Sequence, residues 1–291
     1  HHAGVPCPRL IRVLTTLEDA AMVAGGLSYP VVLKPADMAC SLHVRLVNSP
    51  EEFVEHAQTI FAVEAQPAGY RTRGVALVEE YVKGPEFSVE LFIDRGRRVF
   101  GSVTLKEKGP VPYFVELGHV VPAPIGAKRS DHILRAATEA VRRLGITHGP
   151  CHVEVILDGR TPKIVELAAR LGGDQITRLL RLAGPETVDL HRAAVLQALG
   201  RDLAHGTNLG RLTRGAAIRF LTASPGRLSR VIGNSAVFPS GIEEVGLPAL
   251  GRIIHPLRSS EDRVGFIVAT GRTGANARDI ARRYAHGISF R

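Results

Sequence analysis

Alternation of apolar and polar positions is clearest between His148 and Asp174. Two runs, CHVEVIL (151–157) and KIVEL (163–167), repeat with a period of two, and Asp158-Gly159 follows the first. That period puts successive side chains on opposite faces of a strand, and Asp-Gly favours the tight turn of a hairpin. The pattern predicts a β-hairpin with Val153, Val155 and Leu157 on one face and His152, Glu154 and Ile156 on the other. Glu166 stands among apolar neighbours on the second run. Gly172-Gly173-Asp174 then opens a helix over 174–183.

The same reading extends along the chain. RLIRVL (9–14) predicts a strand, and 16–26 a helix ending at glycine. VVLK (31–34) and VRLV (44–47) are strands around the loop ADMACSLH. Ser49 caps a helix with Phe53, Ala57, Ile60 and Phe61 on one face. VALVEEYV (75–82), EFSVELFID (86–94), RRVFGSVTLK (97–106) and YFVELGHVV (113–121) predict an antiparallel meander, turning at Lys83-Gly84-Pro85 and Asp94-Arg95-Gly96. Residues 129–144 predict an amphipathic helix through Ile133, Ala137, Ala140, Val141 and Leu144, closed by Gly145. A helix over 186–199, strands at AAIRFLTA (216–223) and VGFIVATG (264–271), and a helix near 274–286 follow. Strands and helices mix without strict alternation, which predicts an α+β fold and not a doubly wound sheet.

Composition narrows the function. With 291 residues, 45% of them hydrophobic, the chain can build one large core or two modest ones. The net charge is +9, but the basic residues are scattered and Trp is absent. Nucleic-acid binding wants a basic stripe interleaved with aromatics, so the charge reads as a solvated basic surface with a preference for anionic ligands behind it. Cys7, Cys40 and Cys151 are widely spaced without a CxxC, which argues against a zinc site or disulfide framework and fits a reducing cytoplasm. No apolar run is long enough to span a membrane. The chain opens on HHAGVPCPR without Met, which reads as a helix end before a Gly/Pro turn, so an upstream region is expected.

The hairpin also carries the candidate chemistry. Glu154 and Glu166, side by side on adjacent strands, repel each other unless a cation lies between them. One or two carboxylates with phosphate oxygens are how proteins hold Mg²⁺. Arg170 follows four residues after Glu166, and Gly172-Gly173 can turn backbone N–H groups toward an anion. Lys34, ending its strand before Pro35, can reach a phosphate as a mobile point charge. The plain alternative is a surface hairpin with solvated acids and a solvated strand-end lysine. No Ser/His/Asp or Cys/His arrangement calls for a nucleophilic side chain, so the cysteines read as small core or loop residues.

Taken in order, PVVLKP, VEEYVKGPEFSVE, SVTLKEK, YFVELGH, HVEVIL, KIVELAARLGG and the C-terminal IRFLTASPGRLSRV and PLRSSEDRVGFIVATG resemble the ATP-grasp superfamily. The likeness is to its carboxylate–amine ligases that join amino acids, the L-amino acid ligases and carnosine-synthase-like enzymes. It covers nearly the whole chain. It implies the ATP-grasp fold, two α+β subdomains gripping a nucleotide between antiparallel sheets. ATP and Mg²⁺ are the implied cofactors, with Mn²⁺ as an alternative ion. Lys34 would bind phosphate, and Ser41 and His43 belong to the loop that covers it. Glu79, Glu80 and Val82 would hold the adenine, partly through backbone, Glu86 the ribose hydroxyls, and Lys106, with Lys108 as a rival, would lie beside adenine and phosphates. Glu116 would meet an ammonium group and His119 shape the pocket. Glu154 and Glu166 match the metal ligands, Arg170 the arginine at the acyl phosphate, and Gly172, Gly173 and Asp174 the segment near the substrate.

Three departures stand out. Cys40 and His43 occupy loop positions where the family carries glycine, and Ala168 replaces an asparagine metal ligand. A second phosphate lysine belongs upstream of AGVPCP. The expected organisation is a remnant of an N-terminal region (1–15), a lid subdomain (16–82), a large subdomain with the metal and substrate site (83–205), and C-terminal strands and a helix completing it (206–291). The expected activity is ATP- and Mg²⁺-dependent joining of an amino-acid carboxylate to an amine. A carboxylase or purine-type ligase of the same fold, and a nucleotide-binding module without turnover, are the alternatives. Expected partners are small carboxylates and amines, with no nucleic acid or membrane, and a homodimer is a candidate assembly.

Overall fold

The computed structural model describes residues 4–65, 69–184, 188–201, 203, 209–233 and 237–291. The first histidines, the start of the 186–199 helix and the boundary at 205 lie wholly or partly outside these residues.

Two antiparallel sheets form the α+β framework. The small sheet has the order β1-β4-β2-β3, from Leu10–Leu14 (β1), Val31–Pro35 (β2), Arg45–Val47 (β3) and Ala76–Glu80 (β4). Helices Leu17–Ala24 (α1) and Pro50–Phe61 (α2) back it. Thr16 and Asp19 close a capping box at α1, and Ser49 accepts the Glu52 N–H at α2. Phe53, Ala57 and Ile60 on α2 meet Val31, Leu33 and Val78 in one core.

The large sheet has eight strands. Its members are Glu86–Asp94 (β5), Arg97–Lys108 (β6), Glu116–Val121 (β7), Gly149–Asp158 (β8), Thr161–Ala168 (β9), Gly215–Leu221 (β10), Ile242–Gly246 (β13) and Gly265–Gly271 (β15). Their order is β13-β15-β10-β7-β6-β5-β8-β9. Short pairs, Gly226–Arg227 (β11) with Ile253–Ile254 (β14) and Val231–Ile232 (β12) with Ser289–Phe290 (β16), trim the C-terminal part. Helix Ala127–Arg143 (α3) packs Ile133, Ala137 and Val141 on one face, against Phe87, Val89 and Leu91. Helices Ile176–Ala183 (α4) and Leu190–Ala198 (α5) cover part of the other, around Phe92 and Ile218. Gly274–His286 (α6) sets Ala277 against Val120 and Ala217. Among the described residues, no helix is long and apolar enough to cross a membrane.

The predicted hairpin is β8–β9, with Gly159 at φ 58° in its turn and Glu154 paired opposite Glu166. Three expectations need correction. VALVEEYV does not join the meander: β4 pairs with β1 and β2 in the small sheet. The link at 81–85 is a crossing, because the Pro85 carbonyl accepts the Leu157 N–H at 3.0 Å and a side chain at Gly84 would strike the Leu157 carbonyl. The helix expected from residue 174 starts at Ile176, since Asp174 and Gln175 hold left-handed backbone at φ 50° and 62°. Leu144 is 62% exposed, because α3 ends at Arg143 and Leu144 turns off the apolar stripe as its cap.

Candidate active site

A cavity of about 250 Å³ opens between the two sheets. Lys34, Ser41, Glu79, Glu80 and Val82 line its small-sheet side. Glu86, Lys106, Glu116, His119, Glu154 and Glu166 line the large-sheet side, and Arg170, Gly173 and Asp174 close one end. Strand register explains the floor. Glu86 is paired with Lys106 across β5–β6, Lys106 with His119 across β6–β7, and Ser88 with Glu154 across β5–β8. Side chains at these cross-strand positions share one face.

Lys106 is the electrostatic centre. Its Nζ lies 2.7 Å from Glu86 Oε1, 2.7 Å from Glu154 Oε1 and 3.2 Å from Glu116 Oε1. Burial alone would release its proton, but the charges of Glu154, Glu86 and Glu116 prevail and raise its pKa well above the ordinary lysine value. The expectation of an ammonium-binding Glu116 meets a carboxylate already engaged: Ser260 Oγ donates to it at 2.7 Å, Ser41 Oγ at 3.2 Å, and Lys106 completes the set. Lys108 pairs with Glu86 as well, so both expected nucleotide lysines converge on the expected ribose ligand.

The donors suit a divalent cation. The bonds to Glu154 converge on Oε1, from Lys106 and from His152 at 3.4 Å, which leaves Oε2 open among the described residues. Burial and the neighbouring Glu154 charge raise the Glu166 carboxyl above the usual range, against the opposing charges of His152, Arg170 and Lys106. Arg170 Nη2 lies 3.9 Å from Glu166 Oε1. The ligating atoms of Glu86, Glu116 and Glu154 also lie within 4.8 Å of one another. Ala168, in the asparagine position, faces His152 across the hairpin.

On the small sheet, Lys34 Nζ rests 2.7 Å from Glu79 Oε2. The Glu80 side chain is committed elsewhere, 2.7 Å from Lys163 of β9, which with weaker bonds lowers its pKa. The loop after β2 holds left-handed backbone at Cys40, Ser41 and His43, with φ of 60°, 55° and 57°. These include the two positions where glycine was expected. The loop meets the C-terminal region where the Cys40 carbonyl accepts the Ser260 N–H at 3.4 Å. His43 does not line the cavity. Its carbonyl is 2.9 Å from His56 Nε2, and burial lowers the pKa of its imidazole. Gly172 is also set back: its N–H donates to Glu90 Oε2 at 3.1 Å.

Sequence reasoning missed four residues. Glu90 and His152 form a buried pair, Glu90 Oε1 to His152 Nδ1 at 2.5 Å. Burial opposes the imidazolium, but the charge of Glu90 and the bonds His152 makes to Glu154 and Glu90 push its pKa up to about 10. The signal was present, as polar positions 86, 88 and 90 alternating with apolar ones, but it looks the same as a solvated face. Ser260 and Arg263 left no local signal. Arg263 grips Asp174 with both Nη atoms, at 2.8 and 2.6 Å, donates from Nε to the Ser260 carbonyl, and stacks 3.6 Å from the Phe220 ring. His119 Nε2 lies 3.0 Å from the same Asp174. Burial disfavours the Asp174 carboxylate, but Arg263 and His119 hold it below the usual range.

Residues 27–178 match the ATP-grasp domain family, and residues 219–291 match the L-amino acid ligase C-terminal domain 2. An uncharacterized protein of Sinorhizobium fredii is 30% identical over 298 residues, covering 99% of this chain and 58% of that protein. Carnosine synthase 1 of Gallus gallus is 33% identical over 185 residues, 61% of this chain and 19% of the synthase. Alanine–anticapsin ligase of Bacillus subtilis is 25% identical over 206 residues, 65% of this chain and 43% of the ligase. The chain therefore spans well under two thirds of these curated relatives. The crystal structure of an L-amino acid ligase from Bacillus licheniformis superposes with a TM-score of 0.79 at 22% identity, covering 100% of this chain and 69% of that one.

Proposed function

The chain belongs to the ATP-grasp family, and from that premise we propose that it activates an amino-acid carboxylate with ATP and joins it to an amine. The observation that carries this reading is the Glu154–Glu166 pair, set opposite each other on β8–β9 beside Arg170, in a cleft whose other wall presents Lys34.

A carboxylate is a poor acyl centre because its leaving group would be oxide. Transfer of the ATP γ-phosphoryl group to it creates a good leaving group, and attack by the amine then gives amide, ADP and phosphate. No nucleophilic side chain is needed, and the work is positioning and charge neutralisation. Glu154 and Glu166 would hold Mg²⁺, which neutralises phosphate charge. Lys34 would leave Glu79 to meet phosphate, and Arg170 would steady the acyl phosphate. Backbone at Glu79, Glu80 and Val82 would hold adenine, and Glu86 the ribose. Lys106 serves as counter-ion to the buried carboxylates, and Glu116 and His119 shape the amine end. The bonds from Ser41 and Ser260 to Glu116 close the loop over the site, which keeps water from the acyl phosphate.

The test is ADP release with ATP, Mg²⁺ and a pooled panel of amino acids, against the same mixture without them. Amino-acid-dependent ADP supports the ligase, and Glu166→Ala should abolish it without unfolding the chain. Unchanged turnover in Glu166→Ala would remove that residue from the metal site. A second reading, a nucleotide-binding module without turnover, draws on the non-glycine loop at Cys40 and His43 and on Ala168. It predicts ATP binding with no ADP under any mixture.

A further inference from the structure

Behind the carboxylates that face the cavity stands Glu90, 1% exposed. A buried carboxylate persists only when its oxygens are bonded. Here the two bonds lead to two different parts of the site. Oε1 reaches His152 Nδ1 at 2.5 Å, and His152 Nε2 lies 3.4 Å from Glu154 Oε1. Oε2 accepts the Gly172 N–H at 3.1 Å, in the turn between Arg170 and Asp174. The fold imposes this arrangement: β5–β8 register sets Glu90 against His152 and Ser88 against Glu154. Gly172 fits the same purpose, because a Cβ there would stand 2.7 Å from Glu90 Oε1.

We propose that Glu90 is a positioning residue for the reaction. Through His152 it orients Glu154, and through the Gly172 amide it fixes the turn that carries Arg170. The inference rests on the nucleotide and metal reading of the cleft. Mere burial of a charged pair predicts something different: lost stability with no selective loss of metal binding.

Two substitutions at His152 separate these roles. Asparagine places its amide near the depth of Nδ1, so His152→Asn keeps a partner for Glu90 and removes the group facing Glu154. Glutamine reaches the depth of Nε2, so His152→Gln does the reverse. Mn²⁺ affinity in the presence of ATP, read by electron paramagnetic resonance, is compared with the melting temperature on the whole chain. Glu90→Gln and His152→Asn should each weaken Mn²⁺ binding about tenfold or more, the usual effect of removing a ligand's supporting partner. His152→Asn should melt near the parent, and His152→Gln should keep more of the Mn²⁺ affinity. Unchanged Mn²⁺ affinity in folded Glu90→Gln and His152→Asn overturns the inference and leaves the reading of the cleft intact. A parent chain that binds no Mn²⁺ with ATP overturns that reading, and this inference with it. If Glu90→Gln does not fold, the two His152 variants decide together, and unchanged Mn²⁺ affinity in both folded variants overturns the inference.

Discussion

The Nζ of Lys106 lies 2.7 Å from Oε1 of Glu154, so the carboxylate expected to hold a metal ion already faces an internal cation. Among the described residues, Lys106 is the one cation paired with both Glu154 and Glu116, and its side chain is 3% exposed. Lys106→Met should therefore leave Glu86, Glu116 and Glu154 crowded together without the cation they share. Breaking a buried ion pair from one side costs about 3–5 kcal/mol. Because the ligating atoms of Glu86, Glu116 and Glu154 lie within 4.8 Å of one another, a divalent cation should restore part of the loss. Melting of the variant with and without MgCl₂ measures this. An equal response to Mg²⁺ in variant and parent would show that the cluster does not accept the ion.

Asp174→Asn should loosen the anchor made by Arg263 and His119. Losing hydrogen bonds to a charged partner costs about 1.5–3 kcal/mol. Asp174 has a folded pKa below its ordinary 3.8, so its contribution is full above that pH and is lost as pH falls through the lower folded value. The melting-temperature gap between parent and variant should be widest near neutrality and narrow in acid. Arg263→Lys should not replace Arg263, because an ammonium cannot reproduce the two-pronged bond. A gap that stays constant down to strong acid would refute this account of Asp174.

Cys40→Gly and His43→Gly should stabilise the chain. A left-handed backbone costs an ordinary residue about 1–2 kcal/mol. The extra freedom of glycine in the unfolded chain costs about 0.5–1 kcal/mol, so the net gain is about 0–1.5 kcal/mol per site. The bond between His56 and the His43 carbonyl survives the second change because it uses backbone. Denaturant unfolding of each variant measures the gain. Loss of stability in His43→Gly would mean that its partly buried ring contributes more than its backbone costs.

The hairpin was legible because its cues are local: strict alternation and an Asp-Gly turn. The helix ends at Thr16, Ser49 and Gly145 were legible for the same reason. The placement of β4 was not, since alternation marks a strand but not the sheet it joins. Glu90 shows a second limit. Its polar face looks solvated in sequence, yet it lies under the turn at 170–173, which is folded back from another part of the chain. Ser260 meets Glu116 across 144 positions and Arg263 meets Asp174 across 89, distances over which no period carries information. His43 was expected at the phosphates from its place in the loop, but the left-handed backbone that the loop requires does not bring it to the cavity.

The second family match, over 219–291, begins inside β10 and takes in only its last three residues, although β10 lies in register between β7 and β15, with Ala216 opposite Val121 and Thr270. The same segment supplies Ser260 and Arg263. Inheritance and folding therefore divide this chain at different places. A chimaera that exchanged the last 73 residues, counted from 219 to 291, would cut through β10 and replace β15 and β13 beside it in one continuous sheet, together with Ser260 and Arg263. Such an exchange should succeed only between donors whose strands match in register, and where it does, it should alter the wall of the pocket along with how the sheet is completed.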